Sequence, residues 1–280
     1  MTAIAPIITV DDLADHPDAV LADVRWYLDG RDARAAYESG HLPGAVFIDL
    51  EVDLSDHTSP ADAGRHPFPS PEAFAAAMGS HGIGDDSTVI AYDDTGGMTA
   101  GRLVVMLRML GRNAALLDGG MASWHGELMT GHGANPEHLD FTPCEWPVDR
   151  LADAEQTAAI AQSADGLALD ARAYERFTGE VTQIDPRPGH IPGAASAPWA
   201  ATIDPVTKRF RPAAELRSHF VDLGVNEASS VVAYCGSGVS ACMNILAMER
   251  AELPPARLYV ASFSGWSATA DREVELGPGR

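Results

Sequence analysis

The chain repeats itself. Gly40-His41-Leu42-Pro43-Gly44-Ala45 returns as Gly189-His190-Ile191-Pro192-Gly193-Ala194, and Leu21-Ala22-Asp23-Val24-Arg25 is matched by Leu167-Ala168-Leu169-Asp170-Ala171-Arg172. Val89-Ile90-Ala91-Tyr92-Asp93 is matched by Val231-Val232-Ala233-Tyr234-Cys235. One offset of 142 positions separates Asp93 from Cys235 and also Trp124 from Trp266. A constant offset across separate segments marks an ancient duplication. Within each copy short apolar runs alternate with helical segments, the pattern of a parallel α/β architecture. The expected fold is therefore α/β, two tandem copies, each a parallel sheet flanked by helices. Residues 1–135 make the copy with Asp93, residues 136–150 a linker in a stretch rich in Gly, His, Pro and acid, and residues 151–280 the copy with Cys235.

The two copies part company at one residue. Val231-Val232-Ala233-Tyr234 reads as a buried strand, Cys235-Gly236-Ser237-Gly238-Val239-Ser240 as a tight loop, and the residues from Met243 to Arg250 as a helix. Ligands of open parallel sheets sit at the carboxyl ends of strands. A helix start leaves N–H groups without intrahelical partners, and glycines let successive amides turn toward one point. A thiol at that point is favoured as its nucleophilic anion. The competing reading, an inert core cysteine, fits poorly with the Gly-Ser-Gly that follows. Two further readings fail on residues. A dinucleotide loop wants an acid after the next strand, where Ala261 and Ser262 stand. A cysteine phosphatase wants an arginine six residues after the nucleophile, where Ala241 stands.

A net charge of −21 argues against nucleic acid and anionic membrane surfaces as partners. An anionic substrate would need local arginines. The amino-terminal run has no basic start, no stretch approaches a membrane span, and three scattered cysteines give no disulfide framework. The ten histidines show no metal-ligand spacing, so neither metal nor cofactor is expected and a cytoplasmic setting is.

The paired Gly-His-x-Pro-Gly-Ala turns, the Asp93/Cys235 split and the loop Cys235 to Ser240 together resemble the two-domain rhodanese-type sulfurtransferases. The resemblance spans nearly the whole chain. It implies about five parallel strands per domain and a catalytic second domain working through a persulfide on Cys235. Gly236 and Ser237, in place of basic residues, are similar to the mercaptopyruvate type, with Ser237 placed to donate to a developing oxyanion. Gly236, Gly238, Val239 and Ser240 would line the donor. Arg176 and Arg187 match positions that bind the donor's carboxylate and ketone. His66, with Glu51 beside it, resembles the His and acid that relay a proton through the loop serine. His41 and His190, present in both copies, are expected to be structural. The implied partners are a small anionic sulfur donor and a thiol acceptor, with thioredoxin a candidate, or cyanide. Alternatives are a thiosulfate-preferring enzyme, or a non-catalytic sulfide carrier or redox module using Cys235 and Cys242.

Overall fold

A computed structural model describes residues 4–182 and 184–280; residues 1–3, where the amino-terminal run begins, lie outside it. The chain divides into two compact units. The first holds Met1–Asp56, Phe68–Trp146 and Pro205–Arg209; the second holds His57–Pro67, Pro147–Asp204 and Phe210–Arg280.

The first unit is built on a five-stranded parallel sheet: β1 (Ile7–Ile8), β2 (Val20–Asp23), β3 (Val46–Phe47), β4 (Thr88–Tyr92) and β5 (Asn113–Leu117), in the order β1-β5-β4-β2-β3. Its helices are α1 (Ala33–Ser39), α2 (Pro71–Ser80) and α3 (Ala100–Met109). β4 is buried from Val89 to Tyr92, which is why its sequence is an apolar run and not an alternation. Ile90, Tyr92, Ala115 and Leu117 pack with Tyr37, Leu42 and Phe47 in one core.

The second unit repeats the plan with α4 (Ala154–Gln162), β6 (Gly166–Asp170), α5 (Tyr174–Thr178), β7 (Ala195–Ser196), α6 (Ala213–Asp222), β8 (Ser230–Tyr234), α7 (Ala241–Arg250), β9 (Arg257–Leu258) and α8 (Ser262–Ala268). Its sheet has four strands, β7-β6-β8-β9, one fewer than expected. The fifth position is reduced to a single parallel bridge from Leu151 to Leu258. Two residues after Leu151, Asp153 caps α4 with a reciprocal Asp153–Gln156 capping box.

The repeated turns are structural in both copies. His41 Nδ1 lies 2.9 Å from Tyr37 O, and His190 Nδ1 lies 2.9 Å from Phe177 O. Each imidazole stacks on the ring of that residue, at 4.1 and 3.7 Å between centroids. Tyr92 OH accepts from Leu42 N, and Tyr234 OH accepts from Ile191 N. Arg25 bridges Asp23 and Gly40 O, as Arg172 bridges Asp170 and Gly189 O. The same set of buried hydrogen bonds recurs in each copy and fixes one turn geometry twice.

Candidate active site

Cys235 is the first residue past β8 and is only 2% exposed. Its backbone is held on both sides. Cys235 N donates to Ser262 Oγ at 3.1 Å, while Phe263 N donates to Cys235 O and Ser264 N to Gly236 O, each at 2.9 Å. The amino-terminal turn of α8 therefore clamps the loop. Ser262 takes a φ of 52° to do this, a left-handed conformation that costs a non-glycine residue about 1 kcal/mol. Gly238, with φ 72°, makes the bend inside the loop.

On both sides of the bend the loop has open amides. Among the described residues the N–H groups of Ser237, Val239, Ser240 and Ala241 find no protein acceptor, and they precede or begin α7. Such a run at a helix start is an anion site. The sister loop makes the same point with its site filled. Asp93 Oδ1 accepts from Thr95 N and Gly97 N, and Oδ2 from Thr99 N, Thr99 Oγ1 and Ala100 N, at 2.7 to 3.0 Å.

The segment Gly64-Arg65-His66-Pro67 joins the second unit through α8. A Cβ on Gly265 would come within 2.4 Å of Asp62 O, and one on Gly64 within 2.4 Å of Ala261 O, so both glycines permit a close backbone approach. Arg65 N then donates to Ser264 Oγ at 3.0 Å. Next along, His66 is buried with Nδ1 2.8 Å from Ser237 Oγ. The two side chains paired on sequence grounds thus meet, 171 positions apart. Glu51 lies in the first unit, where its carboxylate accepts from Trp26 Nε1 at 2.6 Å.

Three guanidinium groups gather on one carboxylate. Asp185, 6% exposed, accepts from Arg65 Nη1 at 2.8 Å, Arg176 Nη2 at 2.6 Å and Arg172 Nη1 at 3.2 Å. Burial alone would push the Asp185 carboxyl up, but the charges and hydrogen bonds of Arg176, Arg65 and Arg172 outweigh it and hold it below the usual carboxylate range. Arg172 is already paired with Asp170, so the cluster of three arginines and two aspartates keeps one net positive charge. Arg176 stands in that cluster and Arg187 does not. Arg187 Nε, Nη1 and Nη2 donate to the carbonyls of Ser267, Arg272, Thr269 and Trp266, which uses four of its five N–H donors. These bonds clasp the carboxyl end of α8. Arg65 and Asp185 were not singled out from the sequence; their neighbours in the chain, His66 and Arg187, were. Cys242 is fully buried, its thiol 3.5 Å from Gly238 O. Among the described residues no group of His, Cys, Asp and Glu could hold a metal ion, and no helix is long and apolar enough to cross a membrane.

The family model described as the rhodanese-like domain matches this chain twice, at residues 9–127 and 153–269. The chain belongs to the rhodanese family. Full-length rhodanese relatives resemble it throughout. A Pseudomonas aeruginosa protein bearing the name 3-mercaptopyruvate sulfurtransferase is 38% identical over 98% of this chain and 99% of its own. SseB of Mycobacterium tuberculosis, which bears the name thiosulfate sulfurtransferase, is 38% identical over 94% of this chain and 93% of its own. The crystal structure of Escherichia coli SseA, described as a rhodanese-fold 3-mercaptopyruvate sulfotransferase, superposes with a TM-score of 0.81 at 31% identity, covering 92% of this chain and 99% of that one.

Proposed function

We propose that this chain, a two-domain rhodanese-type sulfurtransferase, takes sulfane sulfur from 3-mercaptopyruvate and passes it through a Cys235 persulfide to a thiol or to cyanide. The Cys235 thiolate attacks the donor's sulfur. An S–S bond forms as the carbon–sulfur bond breaks, and the bonding electrons leave as the enolate of pyruvate. The proton carried by the donor's thiol reaches the enolate carbon by way of Ser237 and His66, so pyruvate departs and the outer sulfur remains as an anion. The N–H groups of Ser237, Val239, Ser240 and Ala241 stabilise that anion. An acceptor thiolate or cyanide then attacks the outer sulfur, the S–S bond breaks, and its electrons return to Cys235. No oxidant, reductant or cofactor enters.

The observation that carries this reading is a cysteine followed by four N–H groups without acceptors, in the place where the sister loop wraps a carboxylate. The Ser237–His66 contact supports a keto-thiol donor, because an enolate leaving group needs a proton and sulfite does not. Residues 1–135 serve as the domain without a catalytic cysteine, from which the segment carrying His66 joins the site, residues 136–150 as a linker, and residues 151–280 as the catalytic domain. Thioredoxin is the protein thiol we propose as acceptor, in the cytoplasm.

Steady-state comparison of the two donors tests the donor assignment. A kcat/KM at least tenfold higher for 3-mercaptopyruvate than for thiosulfate is expected, and the reverse order would favour the thiosulfate reading suggested by the likeness to SseB. A Cys242→Ala variant with unchanged turnover is expected too; loss of transfer would revive the redox-pair reading.

A further inference from the structure

Arg65 ends at the same point as Arg176. A Cβ built on Gly236 would lie 2.7 Å from Arg65 Nη2, 2.8 Å from Arg176 Nη2 and 3.5 Å from Arg176 Nη1. The residue directly after the nucleophile is therefore a glycine because two guanidinium forks occupy the space a side chain would need. Each fork is tethered to Asp185 by one terminal nitrogen, Nη1 of Arg65 and Nη2 of Arg176. The other terminal nitrogen of each, Arg65 Nη2 and Arg176 Nη1, has no acceptor among the described residues. Asp185 thus aims both forks while leaving donors of each unoccupied.

From this placement, and resting on the sulfur-transfer reading above, we propose that Arg65 binds the anionic head of the sulfur donor. It forms with Arg176 a two-guanidinium clamp over Gly236, pre-aimed by Asp185. Parallel N–H donors from two planar forks suit the oxygens of a carboxylate or sulfonate. In a chain of net charge −21 the surplus positive charge of this cluster gives an anion a local reason to enter. Arg65 is 32% exposed and Arg176 19%, so the clamp can be reached from solvent without unfolding the loop. Arg65 Nη2 and Arg176 Nη1 are not the nitrogens that Asp185 holds, so donor binding to them does not require the resting ion pairs to break.

The test uses the full chain with 3-mercaptopyruvate and, separately, thiosulfate as donor and cyanide as acceptor. Arg65→Gln is expected to raise the donor KM about 10- to 100-fold. In that variant kcat should stay within about threefold, the cyanide KM should be unchanged, and the melting temperature should fall by no more than a few degrees, because Asp185 keeps Arg172 and Arg176. Arg65→Lys, which keeps charge but loses the fork, should fall between the two. A donor KM within twofold of the parent for both donors would overturn the clamp. So would a joint fall in kcat, melting temperature and cyanide affinity, which marks a structural tie. Sulfur uptake on Cys235 is measured alongside by intact mass. Uptake by the parent protein with an unmoved Arg65→Gln removes only the clamp, whereas no uptake by the parent removes the sulfur-transfer reading and the clamp with it.

Discussion

Asp93 and Cys235 occupy the same point of two loops built alike, and what differs is the fate of the N–H groups around them. In the first unit a carboxylate with five hydrogen bonds fills the cradle, and the loop becomes a closed clasp. In the second the cradle holds a thiol, and four N–H groups are left for an anion that has to arrive. One duplicated scaffold therefore yields a structural element and a reaction site, according to whether the charge is built in or delivered. The surroundings follow suit, since only the loop after Cys235 opens with a glycine pressed between two guanidinium groups.

The largest effect that could break this contrast is on transfer. Cys235→Ser should lower sulfur transfer at least about a thousandfold in a steady-state assay while thermal denaturation shifts little, because a hydroxyl of nearly the same volume replaces a thiol that makes no hydrogen bond among the described residues. Asp93→Ala should do the opposite. It strips the acceptor from five donors in a buried site, which should cost about 3–5 kcal/mol by denaturant melting while each folded molecule keeps its turnover. Equal stability losses at both positions would erase the distinction.

Smaller effects sharpen it. Ser237→Ala should slow kcat about 10- to 100-fold with 3-mercaptopyruvate and much less with thiosulfate, since only the first leaving group takes up a proton. Equal slowing with both donors would mean that Ser237 holds the persulfide and does not move a proton. Acid should loosen the second unit in two stages. His190 is pushed below its ordinary value by burial, so its contribution is present above about pH 6.5 and is lost as the pH falls below it. Asp185 is held below the usual carboxylate range, so its contribution is present above about pH 3.9 and is lost as the pH falls through its lower folded value. Melting temperature should therefore drop by a few degrees from pH 7 to 5 and again below pH 4. Asp185→Asn should remove the second drop; a melting temperature that rises on acidification would contradict both assignments.

Much of the scaffold is legible in the sequence because duplication prints its grammar twice. Paired turns, paired Asp-x-Arg segments and a constant offset locate strands, loops and nucleophile without coordinates. The Ser237–His66 contact was legible only through family resemblance, since nothing local to His66 points to a loop 171 positions away. Three features were not legible. The second sheet's four strands against the first's five are not marked by any difference in the repeated motifs. The clasp of Arg187 on α8 runs through backbone carbonyls, which carry no sequence signature. Arg65 and Asp185 gain their meaning from α8, whose Ser262 and Ser264 hold the nucleophile loop and the Arg65 segment together.

The central claim is that one sulfur, on Cys235, is the covalent carrier. Incubating the protein with 3-mercaptopyruvate, removing the donor and mapping peptides by tandem mass spectrometry tests it directly. The account predicts one added sulfur atom on the Cys235 peptide, absent from the Cys144 peptide, assigned away from Cys242 by fragmentation, and discharged by cyanide as thiocyanate. An unmodified Cys235 under conditions in which pyruvate is released would contradict it.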